Sequence, residues 1–91
     1  MSDAYRNIIG PACHQLRNAA GLTQEQLAAK CSIAGLRLSR GTYAKIESQD
    51  REVTDYELVI IAQVFKVELS ELMPSELPLW AIHRPSGHFK D

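Results

Sequence analysis

The sequence predicts an all-α domain of five helices, and three observations predict it. Val and Ile do not alternate with polar residues over any useful length, so strands are poorly supported. Apolar residues instead recur three and four apart along most of the chain. Two Thr-x-x-Gln/Glu capping boxes, Thr23-Gln24-Glu25-Gln26 and Thr54-Asp55-Tyr56-Glu57, mark where two of the helices start.

Taken in order, a first helix is expected from near Gly10-Pro11, where proline fits the first turn, to a stop at Gly21. Its apolar side is Ile8/Ile9, Ala12/Cys13, Leu16 and Ala19/Ala20. A second helix begins at Thr23, turns Leu27, Ala28 and Cys31 inward, and ends at Gly35. A third opens on Ser39, a favourable N-cap. The fourth follows the second capping box and buries Leu58, Ile61, Ala62 and Phe65. A short fifth helix, around Leu69 to Met73, ends at Pro74. After Pro74 the helical period is lost, which divides the chain into a folded domain over 8–73 and a non-helical tail over 74–91. Leu77, Leu79, Trp80 and Ile82 make that tail a docked strap on the domain or a surface that orders on a partner.

Ninety-one residues suffice for one small core. No run of about 18 apolar residues is present, and MSDAYRNII has no basic flank before an apolar core. A cytoplasmic protein is therefore the default expectation. Net charge is −1, but residues 1–51 carry seven Lys/Arg against four acids, +3, and residues 52–91 three against seven, −4. Such asymmetry can orient a protein on a polyanion; uneven scatter of charge in a small domain gives the same figures.

The third helix carries the functional signal. With Arg40 at zero and 100° per residue, Arg40, Gly41, Ala44 and Lys45 share one face, while Thr42, Tyr43 and Ile46 fall roughly opposite. Small residues between long cations let a helix backbone approach something broad, and the cations suit phosphates or guanine edges.

LTQEQLAAK followed by LSRGTYAKIE resembles the lambda-repressor/Cro-like (XRE-type) helix-turn-helix regulators, over about residues 8–73. The features that agree in order are Gly21-Leu22-Thr23-Gln24, Leu27-Ala28, Leu38-Ser39-Arg40 and Ile46-Glu47. VTDYELVIIAQVFKVELSELM fits that family's fourth and fifth helices. The resemblance implies a five-helix bundle that inserts its third helix into the DNA major groove. It implies base reading by Arg40, Gly41, Thr42, Ala44 and Lys45, with Arg40 and Lys45 on guanine or phosphate and Ala44 on a thymine methyl. It implies phosphate contacts from Thr23, Gln24, Ser39, Gln49 and Arg51. Arg17 and Glu47 match an ion pair that ties the first helix to the third in some members. A double-stranded operator, a bacterial or phage-type regulator and a homodimer reading half-sites about 34 Å apart follow from the same resemblance. The fifth helix and residues 77–82 are the first expectation for the dimer surface.

Two departures stand out. The connection before the third helix is about five residues longer than the usual pattern, and resembles a subset of bacterial members with an AGL…SR insertion. Ile33, Leu36 and Leu38 suggest a lengthened second helix and a packed turn. Gly41 costs a helix about 1 kcal/mol and reads no base itself, implying close approach or weak readout.

Other chemistries have little support. Cys13, His14, Cys31, His83 and His88 show no zinc-ligand spacing, so no metal or cofactor is expected, and the cysteines read as core. No phosphate loop, nucleophile elbow or carboxylate pair suggests an enzyme. The rival is an interaction module or antitoxin-like partner protein that uses the tail, with Trp80 as anchor.

Overall fold

The capping boxes start helices where the sequence places them. In the computed structural model, which describes residues 5–76, α1 spans Gly10–Ala19, α2 Gln24–Ile33, α3 Arg40–Glu47 and α4 Asp55–Phe65. The Thr23 hydroxyl accepts from the Gln26 amide at 3.0 Å while the Gln26 side chain accepts from the Thr23 amide at 2.9 Å. Thr54 and Glu57 repeat the exchange, both at 3.1 Å. Ser39 caps α3 by accepting from the Thr42 amide, at 3.1 Å.

The fifth helix is corrected to a single 3-10 turn, Leu69–Leu72. Pro74 disfavours helical backbone at Met73, which is extended at φ −88° and ψ 148°. Four residues between Glu68 and Met73 leave too little chain for an α-turn to propagate. The turn still matters, because Leu72 is fully buried. Leu77, Leu79, Trp80 and Ile82 lie outside the described residues.

α3 packs on α1 and α2, α4 packs on α2, and the 3-10 turn lies on α4 and α1. One core joins them, built from Ile9, Cys13, Leu27, Ala28, Cys31, Leu36, Leu38, Tyr43, Ile46, Ile61, Ala62 and Leu72. Ala19 and Ala20, placed on the apolar side of the first helix, are exposed near its end.

The connection from α2 to α3 is ordered by its own residues. Gly35 adopts φ +106°, and the Leu36 amide returns to the Cys31 carbonyl at 2.8 Å, closing α2. Leu36 and Leu38 are buried, but Ile33 is 87 % exposed, against the expectation that it packs. The reason is angular: Cys31 takes the inward position, and two residues further on the helix has turned about 200°.

Candidate nucleic-acid interface

An isolated eight-residue helix is unstable in water, so α3 depends on what holds it. Tyr43 and Ile46 are fully buried on its inner side. At its C-terminal end the Asn7 amide donates to the Ile46 and Arg51 carbonyls at 3.1 and 2.9 Å. The Asn7 side-chain oxygen accepts from the Ile9 and Gly10 amides at 3.0 and 2.9 Å, so one residue starts α1 and clasps α3. Gly10 makes the approach possible: a Cβ there would lie 2.6 Å from the Ile46 and Glu47 carbonyl oxygens.

Glu47 is the hub of the remaining ties. The Arg17 guanidinium donates to it twice, Nε to Oε2 at 2.6 Å and Nη2 to Oε1 at 3.1 Å. Arg17 also donates to the Leu22 carbonyl at 2.8 Å, bracing the turn between α1 and α2. The Tyr43 hydroxyl donates to Oε2 at 2.6 Å and Gln24 Nε2 to Oε1 at 3.1 Å. His14 Nδ1 lies 3.2 Å from Oε1. Burial works against the charged form of Glu47. The bonds from Arg17, Tyr43, Gln24 and His14 outweigh it and hold the carboxyl at about 2. Burial, then the bond to Glu47, pushes the Tyr43 hydroxyl far up, so it remains a donor. Burial likewise lifts Cys13 to about 12 and Cys31 to about 11, and both stay as protonated thiols in the core.

The outer side of α3 carries Arg40, Gly41 and Lys45, all exposed. Ala44 is half-buried at the edge of this face. Thr42 is also half-buried, and its hydroxyl accepts from Ser39 at 2.9 Å. Among the described residues, nothing beyond its chain neighbours and its own helix backbone lies within 4 Å of where a Gly41 Cβ would stand. Arg40 Nη1 donates to the Gln24 side-chain oxygen at 3.3 Å, so the N-termini of α2 and α3 lie side by side. First-turn amides of both helices lack intrahelical acceptors, which makes the pair of ends attractive to anions.

The other expected phosphate contacts are differently placed. Thr23 and Ser39 spend their hydroxyls on caps. Gln49, at φ 66°, donates its side chain inward to the Asn7 carbonyl at 3.0 Å. Arg51 makes a two-pronged pair with Glu57 at 3.0 and 3.2 Å. Sequence reasoning placed Tyr43 on the inner side but missed its bond to Glu47, and it missed Asn7 and His14. Asn7 stands just ahead of α1, where an asparagine side chain can accept amides two and three residues on, and Tyr43 stands one helical turn before Glu47. His14 carried no such signal. Among the described residues no group of three His, Cys, Asp or Glu could hold a metal ion, and no helix is long and apolar enough to cross a membrane.

This arrangement, a short helix clasped from behind with its outer face bare, is that of a helix-turn-helix unit. The chain belongs to the helix-turn-helix family HTH_3, which it matches over residues 14–72. Its fold is similar to that of the restriction-modification controller protein C.AhdI from Aeromonas hydrophila, at TM-score 0.62 and 29% identity over 71% of this chain and 87% of that one. It is similar to the DNA-binding domain of BldD at TM-score 0.65 and 27% identity, covering 81% of this chain and all (100%) of that one. The clp gene regulator ClgR from C. glutamicum shares the fold at TM-score 0.64 and 20% identity, over 78% of this chain and 86% of that one. No curated protein matches the chain.

Proposed function

We propose that the protein binds double-stranded DNA sequence-specifically as a small transcriptional regulator, with α3 in the major groove. The observation that carries this is the exposed Arg40–Gly41–Lys45 edge of α3 joined to the start of α2 by the Arg40–Gln24 bond. One surface then offers two cations, a smooth backbone and two helix N-termini, the combination that base edges and flanking phosphates require. The likeness to C.AhdI and to the BldD DNA-binding domain, both above a quarter identical, supports the same reading.

In it, Arg40, Lys45, Gly41, Ala44 and Thr42 face bases, Arg40 and Lys45 being the groups able to pair with guanine. Thr23, Gln24 and Ser39 bring the α2 and α3 amides to phosphates. Gln49 and Arg51 stand at the margin of the footprint, where Arg51 shares its charge with Glu57. Two copies related by a two-fold axis read half-sites about 34 Å apart, because one such unit covers only a few base pairs.

The test is selection of bound duplexes from a random pool at low and moderate salt. An enriched inverted repeat with one-turn spacing is the expected result. Absence of enrichment, with binding lost at moderate salt, refutes sequence reading by α3 and directs attention to protein partners of the tail. Arg40→Ala is expected to weaken binding to the selected site by about 1–3 kcal/mol and relax preference there.

A further inference from the structure

Most of the connection before α3 serves the fold, and Arg37 is its charged residue that does not. Gly35 terminates α2, Leu36 and Leu38 are buried, and Ser39 caps α3. Burial alternates from Leu36 to Ser39, so Leu36 and Leu38 turn inward while Arg37 between them faces outward. Arg37 is exposed, and among the described residues its guanidinium has neither a hydrogen-bond acceptor nor a carboxylate partner. Arg17 and Arg51 are both neutralised, by Glu47 and Glu57.

Position adds to availability. Arg37 lines a recess of about 530 Å³ with Ser32, Ile33, Leu38 and Ser39, open to solvent beside the first turn of α3. Its polar lining includes the Arg37 guanidinium and the Ser32 hydroxyl, both able to donate to an anion, while the Ser39 hydroxyl is committed to Thr42. A surface this open does not enclose a small molecule, but it can lie along an extended polyanion.

We propose that Arg37 is a DNA phosphate contact supplied by the lengthened connection, extending the footprint of α3 along the backbone. This rests on the DNA-binding reading above. On that reading the additional residues are a binding element, in which two leucine pegs present one arginine and Ser39 fixes its distance from Arg40.

The experiment measures binding of the full chain to the selected duplex and to a random-sequence duplex of equal length between 50 and 200 mM salt. Wild type is compared with Arg37→Ala, Arg37→Lys and Lys66→Gln; the last removes an exposed cation from the end of α4. Each neutralised phosphate contributes about −0.9 to the slope of log K against log salt. Arg37→Ala should therefore flatten the slope by about 0.9 and weaken both duplexes equally, by several-fold at 100 mM. Arg37→Lys should keep the wild-type slope. Thermal melts establish that each variant is folded. Salt-dependent wild-type binding with an unchanged Arg37→Ala slope overturns the proposal and leaves the DNA-binding reading standing. So does a change no larger than that of Lys66→Gln, which would reflect net charge alone. A loss confined to the selected duplex would make Arg37 a base reader and overturn the phosphate assignment. Wild-type protein that binds neither duplex overturns both readings.

Discussion

Replacing Glu47 by Gln separates charge from shape at the point where α1, α2 and α3 meet. Glutamine keeps the volume and one acceptor oxygen, but it leaves the Arg17 guanidinium, whose side chain is 11 % exposed, without its counter-ion. Removing one partner of a buried pair costs about 3–5 kcal/mol. The titration gives a comparable figure. A carboxyl held at about 2 against its ordinary 4.5 corresponds to on the order of 3 kcal/mol of stability at neutral pH. The folded value lies below the unfolded one. The contribution is thus complete above about pH 4.5 and is lost as pH falls toward 2. Urea unfolding of wild type and Glu47→Gln should show a gap of about 3 kcal/mol at pH 7, narrowing to about 1 kcal/mol at pH 3. Glu57, also held low, chiefly by its bond to Arg51, titrates in both proteins and cancels from the difference. A gap that stays constant from pH 7 to pH 3 would show that Glu47 is not the ionised hub of the fold.

Three further outcomes are expected. Gly41→Ala should raise the melting temperature by about 2–8 °C, because the added Cβ meets nothing and alanine favours the helix by about 0.5–1 kcal/mol. It should at the same time weaken DNA binding if the α3 backbone lies close to the bases; unchanged affinity would rule out that approach. Gly10→Ala should destabilise by about 1–3 kcal/mol in thermal denaturation, since its Cβ would press on two backbone carbonyls that cannot rotate away; a neutral result would refute the tight α1–α3 contact. Asn7→Ala should lower stability by about 1–3 kcal/mol through the loss of both the start of α1 and the clasp on α3. A calorimetric melt within 0.5 kcal/mol of wild type would show that water replaces those bonds.

The sequence was most readable where a local rule had a local cause. Thr23 and Thr54 meet their glutamine and glutamate partners within one turn, so the capping boxes needed no knowledge of the rest of the chain. Gly21 and Gly35 likewise sit at positive φ where the helices stop. Reading failed where several elements compete for one side chain. Ile33 is apolar by composition, but Cys31 already occupies the inward angle on α2. The 69–73 segment has a helical texture, but Pro74 leaves it only a 3-10 turn. The partner that Gln49 has in the fold was equally out of reach, because its side chain bonds to Asn7, 42 residues away. No spacing rule reaches across 42 residues.

The charge asymmetry is also refined by the structure. The +3 of the first 51 residues counts Arg17 and Arg51 on the same footing as Arg40. Arg17 is buried against Glu47 and Arg51 is paired with Glu57, so neither presents a full charge to solvent. Arg37, Arg40 and Lys45, all exposed, lie within nine residues that run from the connection through α3. Three of the five exposed cations of this half, the others being Arg6 and Lys30, thus gather at α3 and its entry, and α3 is held from behind by Asn7, Gly10 and Glu47. Rigid support reduces the ordering cost of binding, and bare cations supply the attraction. Loosening the support should therefore lower affinity for every duplex alike, whereas exchanging Arg40 should change which duplex is preferred.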